Sequence, residues 1–126
     1  MKIPNDPTVQ AGIATRRAVM GDAHVDNALD SATAFTAPFQ ELALRNAWGS
    51  TWQRKGIDLK TRSIVTVSML IALGRTHELK GHIRGALTNG VTHLELQEIL
   101  LHSSVYCGFP SAAAAFRVAA EVVETN

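Results

Sequence analysis

Apolar residues recur at three- and four-residue spacing along most of the chain, and no segment alternates with the two-residue period of a strand. This pattern predicts an all-α protein of about six to seven helices. Glycine- and proline-containing segments separate the periodic stretches and set their approximate limits. The predicted helices span residues 7–21, 23–31, 35–48, 58–74, 77–89, 92–107 and 111–124.

Three predicted helices carry clear signals at their first turn. Asp6 followed by Pro7 is typical of an N-cap and first helical position. Asp58 is placed to cap the helix that follows it. Thr92 and Glu95 have the spacing of a capping box, in which each side chain bonds the backbone N–H of the other residue.

The segment 63-SIVTVSMLIAL-73 is apolar on nearly all sides of its predicted helix. Such a helix belongs either at the centre of a bundle or in a subunit interface. Charged residues make up 18% of the chain, below the roughly one quarter that is usual for globular domains. Together these features predict a homo-oligomer.

Length, charge and cysteine content narrow the function classes. A chain of 126 residues predicts one domain, 1–126. A net charge of +1 without a basic block argues against nucleic-acid binding, and no apolar run predicts a membrane span or a signal peptide. The single Cys107 excludes an intrachain disulfide and fits a cytoplasmic protein.

The stretch 77-HELKGH-82 resembles the H-E-x-x-H motif of zinc proteases at first sight. Its second histidine, however, comes one residue late. Five helical residues at about 100° each place His77 and His82 roughly 140° apart, so the two rings cannot chelate one ion. We therefore expect no metal site.

Four segments together resemble the carboxymuconolactone decarboxylase family. They are 47-AWGSTW-52, 61-TRSIVTVSMLIALGR-75, 79-LKGHIRGALTNGVTHLELQEILLH-102 and 105-VYCGFPSA-112. The resemblance runs from about residue 15 to residue 120. It implies the alkylhydroperoxidase D-like helical fold and a hexameric assembly.

Peroxidases of the same fold carry a Cys-x-x-Cys-x-x-x-His motif, and aligning it on His82 places its cysteines at Arg75 and Glu78. Neither residue can form a thiolate, so disulfide-based peroxide chemistry is excluded by residue type. The resemblance instead implies decarboxylation of 4-carboxymuconolactone, a lactone dicarboxylate, to β-ketoadipate enol-lactone in aromatic catabolism. This reaction needs no cofactor, because the lactone itself accepts the electrons.

Given this resemblance, three residues are candidates for catalysis. His82 can donate a hydrogen bond to an oxyanion or transfer a proton near neutral pH, whereas its structural alternative is a core histidine. Glu41 is either a buried acid with a raised pKa or an exposed helix residue. Arg62 either grips a substrate carboxylate or forms an ion pair with a neighbouring helix.

Four further residues are candidates for substrate binding. Trp48 and Trp52 could wall a dry pocket or anchor the core. His102 and Tyr106 are four residues apart on one helix, so they can line a site together or stabilise the turn after it. Two other functions stay open: a non-catalytic helical assembly or small-molecule-binding member of the fold, and a decarboxylase with a different substrate.

Overall fold

The computed structural model describes residues 1–125, and the regular secondary structure within them is all helical, as predicted. The seven α-helices are α1 (Pro7–Met20), α2 (Asp22–Asp30), α3 (Ala37–Leu42), α4 (Leu59–Leu73), α5 (Thr76–Thr88), α6 (His93–Cys107) and α7 (Phe109–Val123). A π-helical turn, Ala43–Trp48, continues α3, and a 3₁₀ turn follows at Thr51–Gln53. In this part of the chain no helix is long and apolar enough to cross a membrane.

The three helix caps that the sequence predicts, at Asp6, Asp58 and Thr92, are present. Asp6 Oδ1 accepts hydrogen bonds from the backbone N–H groups of Thr8, at 2.8 Å, and Val9, at 3.3 Å. Thr92 and Glu95 form the reciprocal capping box with two bonds of 3.0 Å. Each cap satisfies backbone groups that the first helical turn leaves without an intrahelical partner.

The described chain divides into two compact units. The first, Met1–Ile57, contains α1 to α3 and the two turns; the second begins at Asp58 and contains α4 to α7. In the first unit, Val9, Val25, Leu29 and Leu44 form one buried cluster. The prediction of a single domain over 1–126 stays a prediction.

The third predicted helix differs from expectation. It begins at Ala37 rather than at residue 35, and its second half is a π-helical turn closed by the N–H of Gly49 on the carbonyl of Leu44, at 2.7 Å. A Cβ atom on Gly49 would strike the carbonyls of Thr8 and Leu44, and one on Gly12 would lie 2.9 Å from the nitrogen of Gly49. The glycines thus let α1 meet the turn backbone to backbone, a tertiary contact that apolar spacing does not encode.

The second unit is built around one apolar core. Residues from all four helices contribute, among them Val67, Ile71, Leu79, Ile83 and Leu100. Within α4 only Ser63, Val67 and Ile71 are buried. Met69 and Leu73 remain 60% and 71% exposed, so α4 is not covered on all sides by its own chain.

Candidate active site

His82 lies on α5 at the edge of the second unit's core. Its helix neighbours Leu79, Ile83 and Ala86 are at most 1% exposed. The imidazole is partly buried, and its Nδ1 is shielded from solvent. His77, by contrast, is exposed. No group of three or more His, Cys, Asp or Glu side chains close enough to hold a metal occurs among the described residues.

Arg62 lies in the first turn of α4, partly buried, with its Nε shielded from solvent. Asp58 caps this turn by accepting the N–H of Thr61 at 2.7 Å. Hydrogen bonds from the side chain and the backbone of Thr61 hold the pKa of Asp58 below its ordinary value. Because the cap fixes the start of α4, it also helps to position Arg62 in the first turn of that helix.

His102 and Tyr106 line an open groove of about 570 Å³ between α4 and α6. Their ring centroids are 4.8 Å apart with planes tilted by 34°. Tyr106 is 77% exposed, so its ring is not buried beneath the turn that follows α6. Other lining residues are Ile64, Ser68, Glu98, Ile99, Ser103 and Cys107.

Trp48 and Trp52 stack with ring centroids 4.7 Å apart and an angle of 21° between planes. They are 7% and 8% exposed and pack with Val19 in a second buried cluster of the first unit. Gln53 fixes this region, since its Nε2 donates to the carbonyl of Trp48 at 2.9 Å and to Thr15 Oγ1 at 2.6 Å. The packing gives both tryptophans the core position that was one of their two predicted alternatives.

Glu41 is not a buried acid. Its side chain is 41% exposed and accepts a hydrogen bond from Arg45 at 3.1 Å. Arg45 also binds Asp6 at 2.7 Å, so it joins α1 to the π-helical turn. The exposed-residue alternative therefore describes Glu41 better than the buried one, because ion pairing keeps the carboxylate at the surface of the first unit.

The predicted site residues fall into two groups. Arg62, His82, His102 and Tyr106 belong to the second unit, whereas Glu41, Trp48 and Trp52 belong to the first.

Sequence reasoning missed two residues that could carry function. Glu98 precedes His102 by four residues, a spacing that could have revealed it in the groove. Arg16 lies on the buried face of α1 that Val9, Gly12 and Val19 define. The signal for Arg16 was a charged residue at a position where the helical period places apolar ones.

Comparison with known proteins places these features in a family. The model of the carboxymuconolactone decarboxylase family matches residues 37–121. Nitrosuccinic acid decarboxylase npaB of Metarhizium robertsii is 47% identical over 112 residues, which are 89% of this chain and 78% of that protein. The 4-carboxymuconolactone decarboxylase of Acinetobacter baylyi is 44% identical over 111 residues, 88% of this chain and 83% of that protein. The chain therefore belongs to the carboxymuconolactone decarboxylase family, as the sequence motifs predicted.

Proposed function

We propose that this protein is a carboxy-lyase that converts 4-carboxymuconolactone to β-ketoadipate enol-lactone without a cofactor. The observation that carries the proposal is its similarity, at 44% identity over nearly nine tenths of the chain, to a 4-carboxymuconolactone decarboxylase. The other relative described above, npaB of Metarhizium robertsii, is also named as a decarboxylase. This agreement favours decarboxylation over a non-catalytic helical assembly or a binding-only member of the fold.

The reaction needs no cofactor because the substrate itself can accept the electron pair that decarboxylation releases. The departing carboxylate sits on the ring carbon that also bears the ring oxygen. As its C–C bond breaks, the electron pair moves through the ring double bond onto the lactone carbonyl and carbon dioxide leaves. The resulting dienolate takes a proton at its α-carbon, which restores the lactone carbonyl. The protein must supply a donor for the oxyanion, an acid for carbon and cations for the carboxylates.

We assign the proton-handling role to His82. An imidazole changes charge near neutral pH and can present an N–H to the dienolate oxygen. The apolar neighbours of His82 on α5 favour this role, because a hydrogen bond to a developing charge is stronger where water is excluded. Glu41 already accepts a hydrogen bond from Arg45 and is half-exposed, which favours His82 over Glu41 as the acid.

Three of the other predicted residues keep binding roles in this proposal. The guanidinium of Arg62 offers a planar fork that matches a carboxylate. His102 and Tyr106 can donate hydrogen bonds from the groove between α4 and α6. Trp48 and Trp52, by contrast, are packed in the core of the first unit and have no binding role in this proposal.

Nitrosuccinate is the second candidate substrate, and the relative with 47% identity favours it. Its nitro group can accept the electron pair released when the adjacent carboxylate leaves, giving a nitronate that is then protonated at carbon. Both candidates are acids with two carboxylates, and each holds an electron sink in conjugation with the bond that breaks. The same oxyanion donor and carbon acid would serve either substrate.

We also propose that the protein works as a homo-oligomer, the hexamer that the family resemblance implies. The support is apolar surface that a single chain leaves uncovered on α4 and α6. Met69, Leu73, Leu101 and Val105 are 60%, 71%, 47% and 78% exposed. Burial of such side chains between copies would release ordered water and stabilise the assembly.

Purified protein should be incubated with 4-carboxymuconolactone, generated in the cuvette, and separately with nitrosuccinate, each with and without a chelator. Ultraviolet absorbance follows the lactone, and trapped carbon dioxide measures both reactions. We expect turnover of 4-carboxymuconolactone that the chelator does not change. Turnover of nitrosuccinate alone would select the second candidate, and release of carbon dioxide from neither would favour the non-catalytic alternative.

A further inference from the structure

Arg16 is a charged residue on the buried side of α1. It shares one helical face with Val9, Gly12 and Val19, which are buried. The next residue, Arg17, lies outside this helical face and points to the surface. An arginine on a packed helical face needs a partner that satisfies its charge, because removal of a cation from water is costly.

The contacts of Arg16 do not include such a partner. Nη1 donates to the amide oxygen of Gln40 at 3.1 Å, and this oxygen is neutral. Nε is shielded from solvent and has no hydrogen-bond acceptor among the described residues. None of the ion pairs formed by the described acidic side chains involves Arg16.

The other arginines of the first unit with known partners behave differently. Arg17 binds Asp22 at 3.2 Å and Asp26 at 2.7 Å. Arg45 binds Asp6 and Glu41. Hydrogen bonds to these carboxylates raise the pKa of both guanidinium groups, whereas burial lowers the pKa of Arg16. Arg17 and Arg45 therefore each pair with two carboxylates of the protein, whereas the more buried Arg16 pairs with none of the described ones.

The hydrogen-bond donors of Arg16 that have no acceptor among the described residues suit a carboxylate. Since Gln40 occupies Nη1, the edge formed by Nε and Nη2 remains, and the two oxygens of a carboxylate match this edge with parallel hydrogen bonds. One turn further along α1, Val19 and Met20 pack against Trp48 and Trp52. An anion bound here would thus lie close to an apolar, aromatic cluster, where its pairing with a cation is weakly screened.

We propose that Arg16 is the receptor for a carboxylate of a small dicarboxylic acid, with Gln40 holding the guanidinium in position. The choice of ligand rests on the proposed function, in which the substrate carries two carboxylates. Nε is closed to water in this structure. The carboxylate therefore engages Nη2 first and reaches Nε after a small adjustment of the side chain.

Succinate is a suitable probe, because it has two carboxylates and no electron sink and so does not react. Calorimetry should compare the unaltered protein with Arg16→Met and with Arg17→Gln, the surface control. We expect succinate to bind the unaltered protein and the control within about twofold of each other, and Arg16→Met to bind at least about tenfold more weakly. No succinate binding by the unaltered protein, or equal binding by Arg16→Met, would overturn the proposal.

The same variants separate a ligand-binding role from a structural one. Replacing an uncompensated buried charge by an apolar side chain of similar length leaves stability unchanged or raises it. Arg16→Met should therefore melt no lower than the unaltered protein and keep its oligomeric state. A lower melting temperature, or dissociation of the oligomer, would mean that Arg16 satisfies a carboxylate of the protein or of a second copy, and would overturn the proposal.

Binding and turnover can fail independently. If the protein binds succinate through Arg16 but decarboxylates neither candidate substrate, the proposed function is wrong and the carboxylate receptor stands. If it decarboxylates one of them but binds succinate no more tightly than Arg16→Met does, the receptor is wrong and the function stands.

Discussion

Asp6 accepts a hydrogen bond from Arg45 at 2.7 Å through Oδ2 while its Oδ1 caps the first turn of α1. One carboxylate thereby fastens the start of the chain's first helix to the π-helical turn, 39 positions away in the sequence. The hydrogen bond from Arg45 is the main cause that holds the pKa of Asp6 below its ordinary value of 3.8.

This ion pair predicts a pH dependence of stability. A carboxylate whose pKa is lower in the folded state stabilises the fold above its unfolded pKa and loses that effect as the pH falls through the folded pKa. Asp6→Asn should therefore melt below the unaltered protein at neutral pH, and the difference should shrink below about pH 4. Asp30→Asn, at an exposed position, is the control. A melting difference that stays constant from neutral to acidic pH would contradict the assignment.

Gly49 should tolerate no side chain. A methyl group there would meet the carbonyls of Thr8 and Leu44, whereas one at Gly56 would meet nothing within 4 Å. We expect Gly49→Ala to lower the free energy of unfolding by at least about 2 kcal/mol, because backbone atoms must move apart. Gly56→Ala should stay within about 0.5 kcal/mol of the unaltered protein. Denaturant titration followed by circular dichroism measures both, and equal effects would argue against the close approach.

The exposed apolar surface of α4 and α6 predicts self-association. Light scattering at micromolar concentration should show a multimer. Val105→Glu, which buries a charge if this surface is an interface, should convert the multimer to smaller species. Lys55→Glu, on the exposed connection before α4, should leave it intact. A stable monomer of the unaltered protein would contradict the assembly.

Cys107 should be dispensable for turnover. Its thiol lines the groove between α4 and α6, but the proposed reaction forms no bond to sulfur. Cys107→Ser should keep kcat/KM within about tenfold, which corresponds to about 1.4 kcal/mol in transition-state free energy. A larger loss, measured on folded protein, would give the thiol a role in catalysis.

Local signals in the sequence predict the helices well, because caps act within one turn. Asp6, Asp58 and Thr92 each accept a hydrogen bond from a backbone N–H two or three residues ahead. A segment of about four or five residues is therefore enough to predict each cap. The buried residues of α5, among them Leu79, Ile83 and Ala86, also recur at helical spacing.

Features that depend on distant segments were harder to predict. The π-helical turn lies where Gly49 closely approaches Thr8 on α1, a contact between segments that are far apart in the sequence. Glu41 lies in an apolar stretch that suggested burial, yet Phe39 and Leu42 beside it are 69% and 56% exposed. The helical period marks Arg16 as a charge on the packed face of α1, but only the structure shows that its Nε is shielded without a partner among the described residues while Arg17 pairs with two aspartates.

The central claim is that His82 handles the proton or the oxyanion in a decarboxylation that the substrate itself drives. Turnover of 4-carboxymuconolactone per folded subunit, measured for His82→Ala and His82→Gln beside circular dichroism and light scattering, tests it most directly. We expect both variants to fold and assemble, and His82→Ala to lose about 10²–10⁴ in turnover, as for removal of an acid–base group. Partial recovery in His82→Gln would identify a hydrogen-bond donor, and no recovery a proton-transfer group. Full turnover per folded subunit in His82→Ala would contradict the account.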